Sequence, residues 1–75
     1  MMNVCFIKET EMFKDINTNE IVAVIPEGTE VQFDYNITII PGDVAYHFNY
    51  KGQEGFVYDI PAGFSMPFYN FVMIE

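Results

Sequence analysis

The amino-acid sequence predicts an all-β domain, a small barrel of five to six short antiparallel strands, and three observations carry that expectation. Apolar and polar residues alternate with a period of two, most cleanly where Val31, Phe33 and Tyr35 are interleaved with Glu30, Gln32 and Asp34. Turn signals rich in glycine and proline recur between such runs at about the 8–12-residue spacing of small sandwiches and barrels. Eight Phe and five Tyr among 75 residues supply a core, since each aromatic removes roughly 150–250 Å² from water when buried.

Taken in order, Asn3 to Lys8 reads as a first strand, β-branched and aromatic in character. Glu9 to Glu20 is polar, and its apolar residues Met12, Phe13 and Ile16 are spaced too irregularly for a helix, so a long loop is expected there. Ile21 to Ile25 is a second strand, halted by Pro26-Glu27-Gly28-Thr29. Proline presets φ for the first turn position and glycine accepts positive φ further on. The alternating run at 31–35 puts Val31, Phe33 and Tyr35 on a core face and leaves the acids on the other. Ile37-Thr38-Ile39-Ile40 either extends this strand or forms another, and Pro41-Gly42-Asp43 closes it.

Tyr46, Phe48 and Tyr50 alternate with Ala45, His47 and Asn49, and Gly55 to Tyr58 follows a connection expected to span Lys51-Gly52-Gln53-Glu54. Two such runs around a glycine-containing connection predict a hairpin. Ile60 to Phe64 reads as a tight turn, and Phe68 to Ile74 as a last strand of almost wholly apolar character. A strand apolar on both sides is covered on both, or meets a partner chain.

Seventy-five residues make a single domain with a single core. One cysteine, Cys5, rules out an internal disulfide, and one histidine with one cysteine cannot complete a tetrahedral nitrogen and sulfur zinc site, so neither a metal nor a cofactor is expected. The longest apolar runs fall far short of the ~20 residues that span a bilayer, and the first residues lack a secretory pattern, so the expected location is the cytoplasm.

Charge is the most unusual feature. Eleven Asp and Glu stand against three Lys, with a formal net charge of −8 and no Arg. Phosphate backbones and anionic membranes need cationic neutralisation, so direct contact with either is disfavoured. A field of this sign steers association with a basic partner instead.

At Val24-Ile25-Pro26-Glu27-Gly28-Thr29-Glu30-Val31 the chain resembles the bacterial Src-homology-3 (SH3) domain, whose second strand ends in a similar Pro-x-Gly-Thr-x-Val step. Tyr46 to Val57 resembles that family's hairpin, in which an aromatic strand meets a Gly-x-x-Gly-aromatic-Val return. The matching segments, residues 21 to 35 and 45 to 60, imply an SH3-like barrel. Ala45 stands where the family usually carries Trp, and Phe13-Lys14-Asp15-Ile16-Asn17 departs from its usual segment after the first strand.

No catalytic constellation is legible. Cys5, flanked by Val4 and Phe6, reads as a small buried hydrophobe, and His47 as a residue facing solvent or a neighbouring loop. Glu9, Glu11 and Asp15 lack the spacing of a calcium loop and read as a solvated acidic loop. The function expected is therefore non-enzymatic: an acidic module that docks on the basic, nucleic-acid-binding surface of a partner protein, similar in type to the small acidic inhibitors of phages and mobile elements, anti-CRISPR proteins among them. Glu27, Glu30, Asp34, Asp43, Glu54 and Asp59, placed in turns or on polar sides of strands, are the expected partner-binding residues. Two alternatives stand beside this reading. One is a peptide- or cell-wall-binding module whose groove is lined by Tyr46, Tyr50, Phe56 and Tyr58; the other is an assembly subunit or homodimer pairing through Phe68 to Ile74.

Overall fold

The computed structural model describes residues 2–59 and 69–74. Among them lie seven strands and no helix: β1 (Met2–Phe6), β2 (Thr10–Phe13), β3 (Ile21–Ile25), β4 (Glu30–Ile40), β5 (Asp43–Tyr50), β6 (Gln53–Asp59) and β7 (Phe71–Ile74). They form one antiparallel sheet in the order β3-β2-β6-β5-β4-β1-β7. No helix among the described residues is long and apolar enough to cross a membrane.

The all-β expectation holds, and the sheet curls into a barrel-like shell around one core. Val4 and Phe6 of β1, Met12 of β2, Ile25 of β3, Val31 and Phe33 of β4, Val44, Tyr46 and Phe48 of β5, Val57 of β6 and Phe71 of β7 pack as a single buried cluster. At its centre Phe6, Phe48 and Phe71 meet with ring centroids 5.4 to 5.6 Å apart, and Tyr46 meets Phe71 edge-on at 5.4 Å. Each fully buried ring stabilises the fold by roughly 1.5–3 kcal/mol through area alone, and edge-to-face pairing adds to that.

The structure corrects the sequence reading at several points. The stretch expected as a long loop contains β2, because Thr10 and Met12 alternate with Glu11 and turn to the buried side. Thr10 is tolerated there because its hydroxyl donates to the Lys8 carbonyl at 2.8 Å. The β5–β6 connection is two residues rather than four: Tyr50 pairs with Gln53, and Lys51 and Gly52 take φ of 52° and 81°. Both positive φ values match the right-handed twist of the flanking strands. The last strand begins at Phe71; Phe68 and the expected turn at 60–64 lie outside the described residues.

Strand β4 carries the largest irregularity. Phe33 pairs with Phe48 and Ile37 with Tyr46, so Asp34, Tyr35 and Asn36 stand opposite His47 alone. This bulge overturns the expectation that Tyr35 belongs to the core: it sits at φ 64° and is 58% exposed. Asp34 closes the local turn by accepting the Asn36 N–H at 3.0 Å.

Candidate partner-binding face

The pleat fixes which side chains the sheet presents outward. Phe33, Phe48 and Val57 point into the core, so their neighbours Gln32 and Asp34 on β4, His47 and Asn49 on β5, and Glu54 and Phe56 on β6 share the opposite face. His47 pairs with Phe56 and Asn49 with Glu54 across β5 and β6.

At the centre of this face lies an imidazole between two carboxylates. His47 Nδ1 is 3.5 Å from Asp34 Oδ2, and Nε2 is 3.5 Å from Glu54 Oε1. The bulge is what brings Asp34 there, since it displaces the β4 backbone beside His47. The His47 ring stands edge-on to Phe56 at 5.3 Å, and its Nδ1 is buried without a hydrogen bond. His47 therefore does not face open solvent but lies against the Asp34 and Glu54 carboxylates and the Phe56 ring of its neighbours on the sheet.

The six expected partner-binding residues separate into four groups. Asp34 and Glu54 come together around His47. Glu27 and Glu30 are exposed at the β3–β4 turn and the start of β4, a turn tied to β1 by Gly28 donating to the Phe6 carbonyl and Phe6 donating to the Thr29 carbonyl. Asp43 is half-buried and accepts the Val44 N–H at 2.9 Å. Asp59 does not belong on an outward face: it is 4% exposed, and its two oxygens accept the backbone N–H groups of Tyr69 and Asn70. Desolvating an aspartate is costly unless backbone donors satisfy it, and these donors do so.

Other expectations shift in the same way. Cys5 is half-buried on the outward side of β1, between Glu30 of β4 and Val72 of β7. Tyr46 is fully buried and lines no groove, while Tyr50, Phe56 and Tyr58 are half-buried.

A feature missed in the sequence is an open cleft of about 430 Å³ lined by Glu9, Thr10, Glu11, Phe13, Val24, Tyr58 and Asn70. Phe13 and Tyr58 form its aromatic wall, with ring centroids 5.3 Å apart, and the Tyr58 hydroxyl donates to the Ile16 carbonyl at 3.2 Å. The available signal was the alternation Thr10-Glu11-Met12, which puts Glu11 on the outward side of β2, with exposed Glu9 just before the strand.

The cations stand apart from these acids. Lys14 pairs with Glu20 at 4.0 Å, Lys51 lies over the Tyr50 ring, and Lys8 lies over the Tyr69 ring. Among the described residues no cluster of three or more His, Cys, Asp or Glu has the arrangement of a metal site. Compared with protein-family models, curated proteins and solved structures, the chain has no significant match.

Proposed function

We propose that this chain is a non-enzymatic, SH3-like acidic module that docks on the basic, nucleic-acid-binding surface of a partner protein and regulates or inhibits it, as small phage and mobile-element inhibitors do. The observation that carries this reading is the disposition of charge on a rigid sheet. Asp34 and Glu54 project from β4 and β6, the two strands that flank β5, on either side of His47, and Glu30 is exposed at the start of β4, while all three lysines, in loops and turns, are engaged with other side chains. Carboxylates spaced on a stiff scaffold present a preorganised array of negative charge, which raises the association rate with a cationic surface and competes with phosphates for it. The SH3-like reading is supported by the β5–β6 hairpin, which falls where the resemblance puts it.

The test uses the chain immobilised against bacterial lysate, with captured proteins identified by mass spectrometry and their nucleic-acid binding measured with and without the chain. Wild type is compared with a variant carrying Glu27→Gln, Glu30→Lys, Asp34→Asn and Glu54→Lys. Capture that weakens with salt, is lost in the variant, and is accompanied by displacement of nucleic acid is the expected result. Capture indifferent to the substitutions and to salt overturns the reading.

The cleft between β2, β3 and β6 favours a second reading, a peptide-binding module, because Phe13 and Tyr58 offer an aromatic wall beside Glu9 and Glu11. Loss of capture on Tyr58→Ala, with the quadruple variant unaffected, would select it.

A further inference from the structure

One stretch of the sheet has no strand paired on one of its sides among the described residues. Strand β1 accompanies β4 only as far as Phe33, opposite Met2, whereas β4 continues to Ile40. From Ile37 to Ile40 the strand pairs with β5 on one side, and on its other side no strand among the described residues is paired with it. Half of the backbone N–H and C=O groups of an edge point outward and form a template for another strand.

The side chains there carry none of the usual protection. Ile39 is 82% exposed and Ile37 is 38% exposed, both on the side that faces the core elsewhere, since they pair with Val44 and Tyr46. The run Tyr35 to Gly42 contains no charged residue in a chain of net charge −8. Edges are ordinarily guarded by lysine, proline or a bulge. Here the bulge at Asp34 to Asn36 and Pro41 bound the segment at its two ends, and among the described residues the four between them pair on the β5 side only.

We infer that Ile37 to Ile40 is the pairing edge of a homodimer, in which β4 of one copy lies antiparallel to β4 of a second about a two-fold axis at Thr38. The absence of charge from Tyr35 to Gly42 and the self-complementary register select a second copy as the occupant. An antiparallel pair centred on Thr38 sets Ile37 against Ile39 of the other copy twice over, making one apolar row, and sets Thr38 against its own equivalent. The same register sets Asp34 opposite Gly42, so no carboxylate meets another. The β3 edge is less suited, since that strand runs between Glu20 and Glu27. A four-residue edge buries little area, so the dimer is weak, in the micromolar range or above.

Salt separates this interface from docking on a basic partner. Two copies of charge −8 repel, and screening relieves that repulsion, so added salt tightens the dimer whereas it loosens an acid-to-base complex.

Sedimentation velocity with reductant present, from about 5 to 500 µM and at low and high salt, decides the matter. The wild-type chain is expected to shift from monomer to dimer with concentration, with an apparent Kd at least several-fold tighter at high salt. Ile39→Lys, a substitution at an exposed position, abolishes the dimer while the near-ultraviolet circular dichroism stays native; Val72→Lys, on β7, leaves it intact. Backbone amides of 37–40 exchange more slowly at high protein concentration than at low. A chain that stays monomeric at the highest concentration in high salt, or a dimer that survives Ile39→Lys, overturns the inference.

Discussion

Asp59 and Asn70 hold the end of β6 to the segment that leads into β7. Asp59 Oδ2 accepts the Asn70 N–H at 2.9 Å, and the Asn70 side-chain amide returns a hydrogen bond to the Tyr58 carbonyl at 2.7 Å. With Asp59 Oδ1 accepting the Tyr69 N–H at 2.8 Å, the carboxylate ties together chain segments that nine intervening residues separate in sequence. The connection orients Phe71 for entry to the core.

Replacing this group measures its worth. Asp59→Asn keeps one acceptor oxygen but loses the charge-assisted second bond and leaves a buried N–H without an acceptor, a cost of about 1–3 kcal/mol. Urea unfolding should show a lowered midpoint with an unchanged slope. A midpoint equal to that of the wild type would mean that Asp59 does not hold β7 in place.

Gly55 is required by the approach of β2 to β6. A Cβ at this position would lie 2.6 Å from the Phe13 carbonyl oxygen and 2.8 Å from Met12 Cγ. Gly55→Ala therefore forces the strands apart, at a cost of about 1–3 kcal/mol for overpacking a close contact. Thermal unfolding checks it: in a domain of this size about 1 kcal/mol corresponds to roughly 4–8 °C.

The two-residue turn between β5 and β6 predicts a gain. Lys51 holds φ at 52°, a region that costs a lysine more than an asparagine, and Gly52 follows at 81°. Lys51→Asn converts the turn to Asn-Gly, and should stabilise the chain by about 0.5 kcal/mol. The Gly52 N–H donation to Asn49 Oδ1, 3.0 Å in the parent, remains available. Equilibrium unfolding of the single variant is sufficient, and a loss of stability would contradict the turn geometry.

The flanks of His47 should matter little to folding. Asp34 and Glu54 side chains are 47% and 70% exposed, and their contacts with the imidazole are 3.5 Å long. Asp34→Asn and Glu54→Gln are each expected to change stability by no more than about 0.5–1 kcal/mol, because long contacts made by solvent-exposed carboxylates contribute little. A larger loss in denaturant titration would make these acids structural and weaken their assignment to partner binding.

Much of the architecture could be read from residue order. The alternation at Val31 and Phe33, the turn at Pro26 to Thr29 and the aromatic strand from Tyr46 to Tyr50 each follow from a local rule, and each stands where that rule puts it. Strand β2 escaped because its buried residues include Thr10, whose hydroxyl is satisfied by its own chain two residues back. The bulge escaped because nothing in Asp34-Tyr35-Asn36 distinguishes continued alternation from interruption; its meaning depends on the partner strand.

The candidate site shows the same division. Acidity, and its excess over three lysines, belongs to composition and was plain in the chain. Which carboxylates face outward was not: Asp34 and Glu54 gather at His47, Asp59 turns inward to two backbone donors, and Glu9 and Glu11 line a cleft. Periodicity and turn chemistry act over a few residues, so residue order sufficed for strand character, aromatic core and net charge. Register, bulging and curvature arise from contacts between residues far apart in sequence, and these alone decided which acid is structural, which is presented, and which part of β4 has a strand on one side only among the described residues.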